Sequence, residues 1–104
     1  MYFTASLLFK SVHTPSDHEA PVWEEQIILF EAEDASAAER KAAVYGKAHE
    51  VEYRNQADEL VHWTFERIER VCEIQDDLLK DGTELFSRFL KDAEVKSLLT
   101  PFDD

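Results

Sequence analysis

From Tyr2 to Val12 the chain alternates, and the alternation predicts a strand. Phe3, Ala5, Leu7 and Phe9 share one side, while Thr4, Ser6 and Lys10 share the other. His13 to Pro21 is polar, contains Pro15 and ends on Pro21, and reads as a loop. Val22 to Ala32 predicts a second strand. Its Ile27-Ile28-Leu29-Phe30 run is apolar on both faces, the pattern of a central strand covered on both sides. Glu33 to His49 predicts a helix. Ala38, Ala42 and Tyr45 fall at helical spacing, and alanines let a helix lie close to a sheet. Ser36-Ala37-Ala38-Glu39 fits a capping box, with Asp34 as a competing N-cap. Gly46 is expected to weaken the last turn.

A hairpin follows. Val51 to Arg54 reads as a short strand, Asn55 to Asp58 as a turn, and Glu59 opens the return strand. There Val61, Trp63 and Phe65 point one way and His62, Thr64 and Glu66 the other. Ile68 comes three residues after Phe65 instead of two, which predicts a bulge near Glu66-Arg67, with strand continuing to Ile74. Gln75 to Gly82 is an acidic connection turning at Asp81-Gly82. Thr83 to Leu90 predicts a last strand with Leu85, Phe86, Phe89 and Leu90 on both faces. Asp92 to Leu99 predicts one or two helical turns that stop before Pro101.

This order predicts one α+β domain over residues 1–104. It has a mostly antiparallel sheet of four or five strands, one main helix packed on one face, and a short C-terminal helix. One helix leaves the other face short of cover. Leu8, Ile28, Phe30 and either Phe86 or Leu85 are expected there, under the C-terminal segment or under a second copy of the chain. A homodimer through the sheet is the expectation.

Composition narrows the partners. Twenty-three acidic residues stand against eleven basic ones, a formal charge of −12 on 104 residues, yet 44% of the chain is hydrophobic. Seven Phe, three Tyr and two Trp exclude a disordered acidic tail. Such a charge repels phosphate backbones and anionic lipid, so neither nucleic acid nor a membrane surface is an expected partner; a basic protein remains one. Two stretches hold most of the excess. Residues 1–38 carry seven acids and only Lys10, and residues 73–84 carry five acids and only Lys80. If both lie at one edge of the sheet, the charge marks a patch; if apart, it serves solubility. Cys72 is the single cysteine, the N-terminus has no basic leader pattern, and no apolar run is long enough to span a bilayer. The expected compartment is the cytoplasm.

Candidate chemistry is sparse. Trp23, Glu24, Glu25, Glu84 and Arg88 could line a small polar pocket if their strands were neighbours; a cross-strand ion pair on a wet face is the simpler reading. His13, Asp17, His18 and Glu19 share one loop and have metal-ligand chemistry, but no preorganisation, so no metal and no cofactor is expected. Cys72 sits among Glu69, Glu73 and Asp76, poor company for a nucleophile. No glycine-rich phosphate loop, HExxH, CxxC or triad-like spacing occurs, and the reading leans away from an enzyme.

Trp23-Glu24-Glu25-Gln26-Ile27-Ile28-Leu29-Phe30-Glu31-Ala32 leads into an alanine-rich helix. His62-Trp63-Thr64-Phe65 and Asp81-Gly82-Thr83-Glu84-Leu85-Phe86-Ser87-Arg88 come later. Taken together these segments resemble the DUF4288 family, short bacterial proteins defined as a domain of unknown function. The resemblance covers Tyr2 to about Leu90. It implies a bacterial, cytoplasmic, stand-alone small domain and supplies no catalytic residue. Three functions follow, in this order: a protein-binding or accessory domain, in one form an immunity-like inhibitor of a basic partner; a homodimeric structural domain; and a small-ligand or enzymatic domain using the Trp/Glu/Arg region.

Overall fold

A computed structural model describes residues 1–15, 21–75 and 79–100. Its elements are β1 (Tyr2–Thr14), β2 (Trp23–Glu31), α1 (Ala35–Ala48), β3 (Val51–Arg54), β4 (Leu60–Glu73) and α2 (Asp92–Leu99). The four strands form one antiparallel sheet in the order β2-β1-β4-β3. β1 is therefore central, and its alternation is the axis of the fold. Phe3, Ala5, Leu7 and Phe9 are all at most 2% exposed on one face, which we call the core face. β2 is an edge strand, not the central strand its apolar run predicts.

The register assigns the rest. Phe30 and Ile28 lie opposite Phe3 and Ala5, so they belong to the core face, not to the second face as the sequence suggests. Leu29 and Ile27 lie opposite Thr4 and Ser6 and take their place on the second face. A run apolar at every position gives no phase of its own; the partner strand supplies it.

β4 keeps its apolar side chains on the core face by two bulges. Phe65 pairs with Phe9, Arg67 with Leu8, Ile68 with Leu7 and Arg70 with Ser6. Glu66 and Glu69 fall between ladder positions and have no partner on β1. The 2-2-3-3 spacing of Val61, Trp63, Phe65, Ile68 and Val71 thus becomes one continuous face, with the first bulge where the sequence places it. β3 and β4 join through residues 55–59, where the Asn55 side chain accepts from the N–H groups of Ala57 and Glu59, and Asp58 takes φ 59°.

α1 starts at Asp34, whose carboxylate accepts from Ala37 N at 2.8 Å; Ser36 lies inside the helix and accepts from Arg40. Replacing Asp34 by Ala leaves that N–H without its cap. A loss of about 1 kcal/mol is expected, measured by urea unfolding, and Asp34→Asn should retain most of the stability. Ala38, Ala42 and Gly46 are the buried residues of the helix, and Ala42 joins Ala5, Leu7, Phe9 and Phe30 in the core cluster. Gly46 sits against the Phe65 ring, where an added Cβ would fall 2.5 Å from Cδ1. Its role is close approach, which outweighs the entropic cost expected from the sequence. After α1, Glu50 accepts from Phe65 N at 2.8 Å, one ladder position beyond the end of β3.

Thr83 to Leu90 does not form the predicted fifth strand. Its apolar residues are spaced one, three and one apart, which is no strand period. Its carbonyls are engaged by side chains instead: Thr4 Oγ1 donates to Leu85 O at 2.9 Å, and Arg70 donates to Ser87 O at 3.3 Å. The segment therefore crosses the second face of β1 and β4. α2 follows as predicted but packs on none of the other elements, and every residue from Lys91 to Thr100 is exposed. Residues 88–100 form an arm.

Candidate functional site

The second face has two halves. On the β1–β4 half, Thr4 and Ser6 are buried at 4% and 2% exposure although they lie on the polar side of their strand. Phe86 covers this half, with the Arg70 guanidinium 5.4 Å from its ring centroid and that of Arg88 at 6.0 Å. Ser6 donates its hydroxyl to Glu25 of β2. Sequence reasoning missed Ser6 and Arg70, while it expected either Phe86 or Leu85 on this face. The one signal was the smallness of Thr4 and Ser6, which lets a crossing backbone come close.

The β2 half is open. Trp23, Ile27 and Leu29 lie side by side on it at 49%, 50% and 45% exposure, broken only by Glu25. Lys10 of β1 reaches over the Trp23 ring at 5.6 Å. The arm exposes Phe89 fully, with Leu98 and Leu99 at 62% and 78%.

The sequence-derived residues are placed as follows. Trp23 and Glu25 share the second face. Glu24, opposite Phe9, lies on the core face, where its carboxylate accepts from Gln26. Glu84 lines a recess of about 400 Å³ between the end of β4 and the crossing segment, together with Cys72, Glu73 and Gln75. Arg88 stands at Phe86. Among the described residues no ion pair joins Glu24, Glu25 or Glu84 to Arg88. Cys72 is half-buried, and its Sγ contacts the Glu73 carbonyl rather than a base. Among the described residues no three His, Cys, Asp or Glu side chains converge as metal ligands. Asp17, His18 and Glu19 lie outside the described residues, and His13 ends β1 opposite Val61.

The two acidic stretches meet in part. Glu31 is opposite Tyr2 and Glu73 opposite Phe3, so both mark the same end of the sheet, next to Glu33 and Asp34. The hydrogen bond between the Tyr2 phenol and the Glu31 carboxylate, with the negative charge beside it, raises the phenol pKa above its usual value. Glu24 and Glu25 lie toward the other end, near Lys10.

The geometry defines an α+β domain with a four-stranded antiparallel sheet, two helices and one sheet face partly bare. The chain belongs to the DUF4288 family, a domain of unknown function, whose model matches residues 2–87. The arm follows that span. No curated protein and no solved structure matches the chain. No helix among the described residues is long and apolar enough to cross a membrane.

Proposed function

We propose that the chain is a protein-interaction domain that self-associates through its second face, each copy laying its C-terminal arm on the β2 half of the other. One observation carries this reading. Trp23, Ile27 and Leu29 form an apolar strip that is about half exposed among the described residues, and the same chain carries an arm whose helix α2 packs on no other described element. Clusters of exposed large apolar residues on this scale mark interfaces. A two-fold pair lets each strip meet the other copy's arm, closing both surfaces with one contact. With −12 on each copy, repulsion opposes the association, so salt should strengthen it. The domain is expected to act in the cytoplasm of a bacterium.

Sedimentation equilibrium tests this. At about 50 μM a dimer is expected, and Ile27→Glu or removal of residues 88–104 should raise its Kd by about a hundredfold or more. A wild-type monomer at that concentration in high salt removes the proposal.

A second reading rests on the acidic end of the sheet at Glu31, Glu33, Asp34 and Glu73, which would suit a basic protein. Such a complex weakens with salt, the opposite of self-association. An enzymatic use of Trp23, Glu25, Glu84 and Arg88 has less support, because Glu84 and Arg88 are engaged separately, at the Cys72 recess and at Phe86.

A further inference from the structure

The core face is covered by α1 only as far as the helix reaches. Past His49 the sheet continues, and the strand pairs Phe9–Phe65, Ser11–Trp63 and Val61–Tyr53 lie beyond or beside the helix end. The result is a recess of about 410 Å³ on the side of the sheet opposite the bare strip, within the size range of small-ligand sites. Its walls are the rings of Phe9, Tyr45, Tyr53 and Trp63, with His49 and Glu24 at the rim. Among the described residues no Lys or Arg lines it.

The walls are held in place. Trp63 Nε1 donates to the Tyr53 hydroxyl at 3.2 Å. The His49 ring stacks on Tyr45 at 3.7 Å between centroids, and its Nδ1 lies 2.8 Å from the Tyr45 carbonyl oxygen. Phe9 is 1% exposed and packs on Phe65 at 5.6 Å. Gln26 donates to Glu24 Oε1 at 2.8 Å and so steadies the carboxylate beside Phe9. Phe9, Tyr45 and Trp63 are at least partly covered, while Tyr53 is 47% exposed and forms the open side.

Three kinds of negative potential converge there. Aromatic faces present the negative side of their quadrupole to a cation. The carbonyl end of a helix carries partial negative charge. Glu24 adds a full one. An apolar core that merely ran out of cover would not need a carboxylate at its rim, and among the described residues the only basic side chain of the lining is His49, whose ring is engaged with Tyr45.

We propose that this recess binds the head group of an organic cation of the alkylammonium class. The methylated or alkylated head would stack among Tyr45, Tyr53 and Trp63 with Glu24 as counter-charge. Because the recess and the bare strip lie on opposite faces, either assignment can fail without the other.

The test is a titration of ¹⁵N-labelled protein followed at the Trp63 indole N–H, told apart from Trp23 by a Trp23→Phe variant. Probes are choline chloride, Nα-acetyl-trimethyllysine amide, and 3,3-dimethylbutanol, the uncharged shape-mimic of choline; sodium chloride is the control. Saturable shifts from at least one of the two cations, with the alcohol about tenfold weaker or worse, are expected. The tighter of the two cations tells a free small molecule from a side chain. Glu24 is exposed, so Glu24→Gln should leave the melting temperature unchanged while weakening the cation about tenfold. Absence of a saturable shift up to about 50 mM, equal binding of the alcohol, or unaltered binding by Glu24→Gln each overturns the proposal.

Discussion

Deleting Thr64 is expected to unfold the domain, whereas deleting Glu66, two residues away on the same strand, is expected to leave it folded. Both are single-residue losses from β4, and local propensity does not separate them. Register does. Thr64 is a ladder residue opposite Lys10 and is the spacer that puts Trp63 and Phe65 on the same face. Without it one of those two rings must turn to solvent, or the hairpin must slip and turn out Val61 with Trp63. Losing one large aromatic side chain from the core costs about 3–5 kcal/mol, against a total stability on the order of 5–15 kcal/mol for a native domain. Glu66 has no partner on β1. Its removal brings Phe65, Arg67 and Ile68 into plain alternation, with every β1 pair retained. What is lost is the local bend and the hydrogen bond from Thr64 to Glu66, worth about 1 kcal/mol. Urea unfolding followed by circular dichroism measures both variants. A Thr64 deletion that stays cooperative with near wild-type stability would sink the register argument, as would a Glu66 deletion that unfolds.

The same strand shows how far the sequence could be read. The spacing of Phe65 and Ile68 makes the first bulge legible, because β4 has one apolar face and its phase is visible. The second bulge, at Glu69, follows from Ile68 and Val71 by the same rule but is blurred by Cys72 and Ile74, which give no clean phase. β2 failed for the opposite reason. Ile27 to Phe30 is apolar throughout, and such a run fits a central strand covered on both sides or an edge strand with a bare side equally well. The choice lies in topology, which one strand's pattern does not encode. Thr83 to Leu90 misled because aromatic and branched residues favour strands on average, yet the sheet gives this segment no ladder. Its carbonyls are met by Thr4 and Arg70, residues some 80 and 17 positions away in the chain. The five residues singled out as a pocket were chosen on the assumption of that missing strand, and only Trp23 and Glu25 remain together on one face of β2. The recess at the end of α1 was not legible at all. It draws Glu24, Tyr45, Tyr53 and Trp63 from four different elements, and no sequence spacing links them.

Gly46→Val is expected to cost about 3 kcal/mol, although helix propensity alone would make it neutral or slightly favourable. The two effects can be weighed. In an exposed helix, leaving glycine gains up to about 1 kcal/mol. Here a Cβ would stand 2.5, 2.6 and 2.7 Å from Cδ1, Cγ and Cε1 of Phe65. These are the near atoms of a ring packed against Phe9, so the ring cannot swing clear without opening the core. Overpacking of this kind costs about 1–3 kcal/mol for a well-filled site, and the two extra methyls of valine push it to the upper end or beyond. Melting temperature should fall by about 12–20 °C for a domain of this size. The helix–sheet contact is identified as the cause by a double-mutant cycle with Phe65→Leu. Phe65→Leu alone loses contacts and destabilises. Combined with Gly46→Val it frees the space that the valine needs, so the double variant should be more stable than the sum of the two losses by at least about 1 kcal/mol. Strict additivity would mean that glycine at this position serves the backbone alone and that the approach of α1 to β4 is set by Ala38 and Ala42.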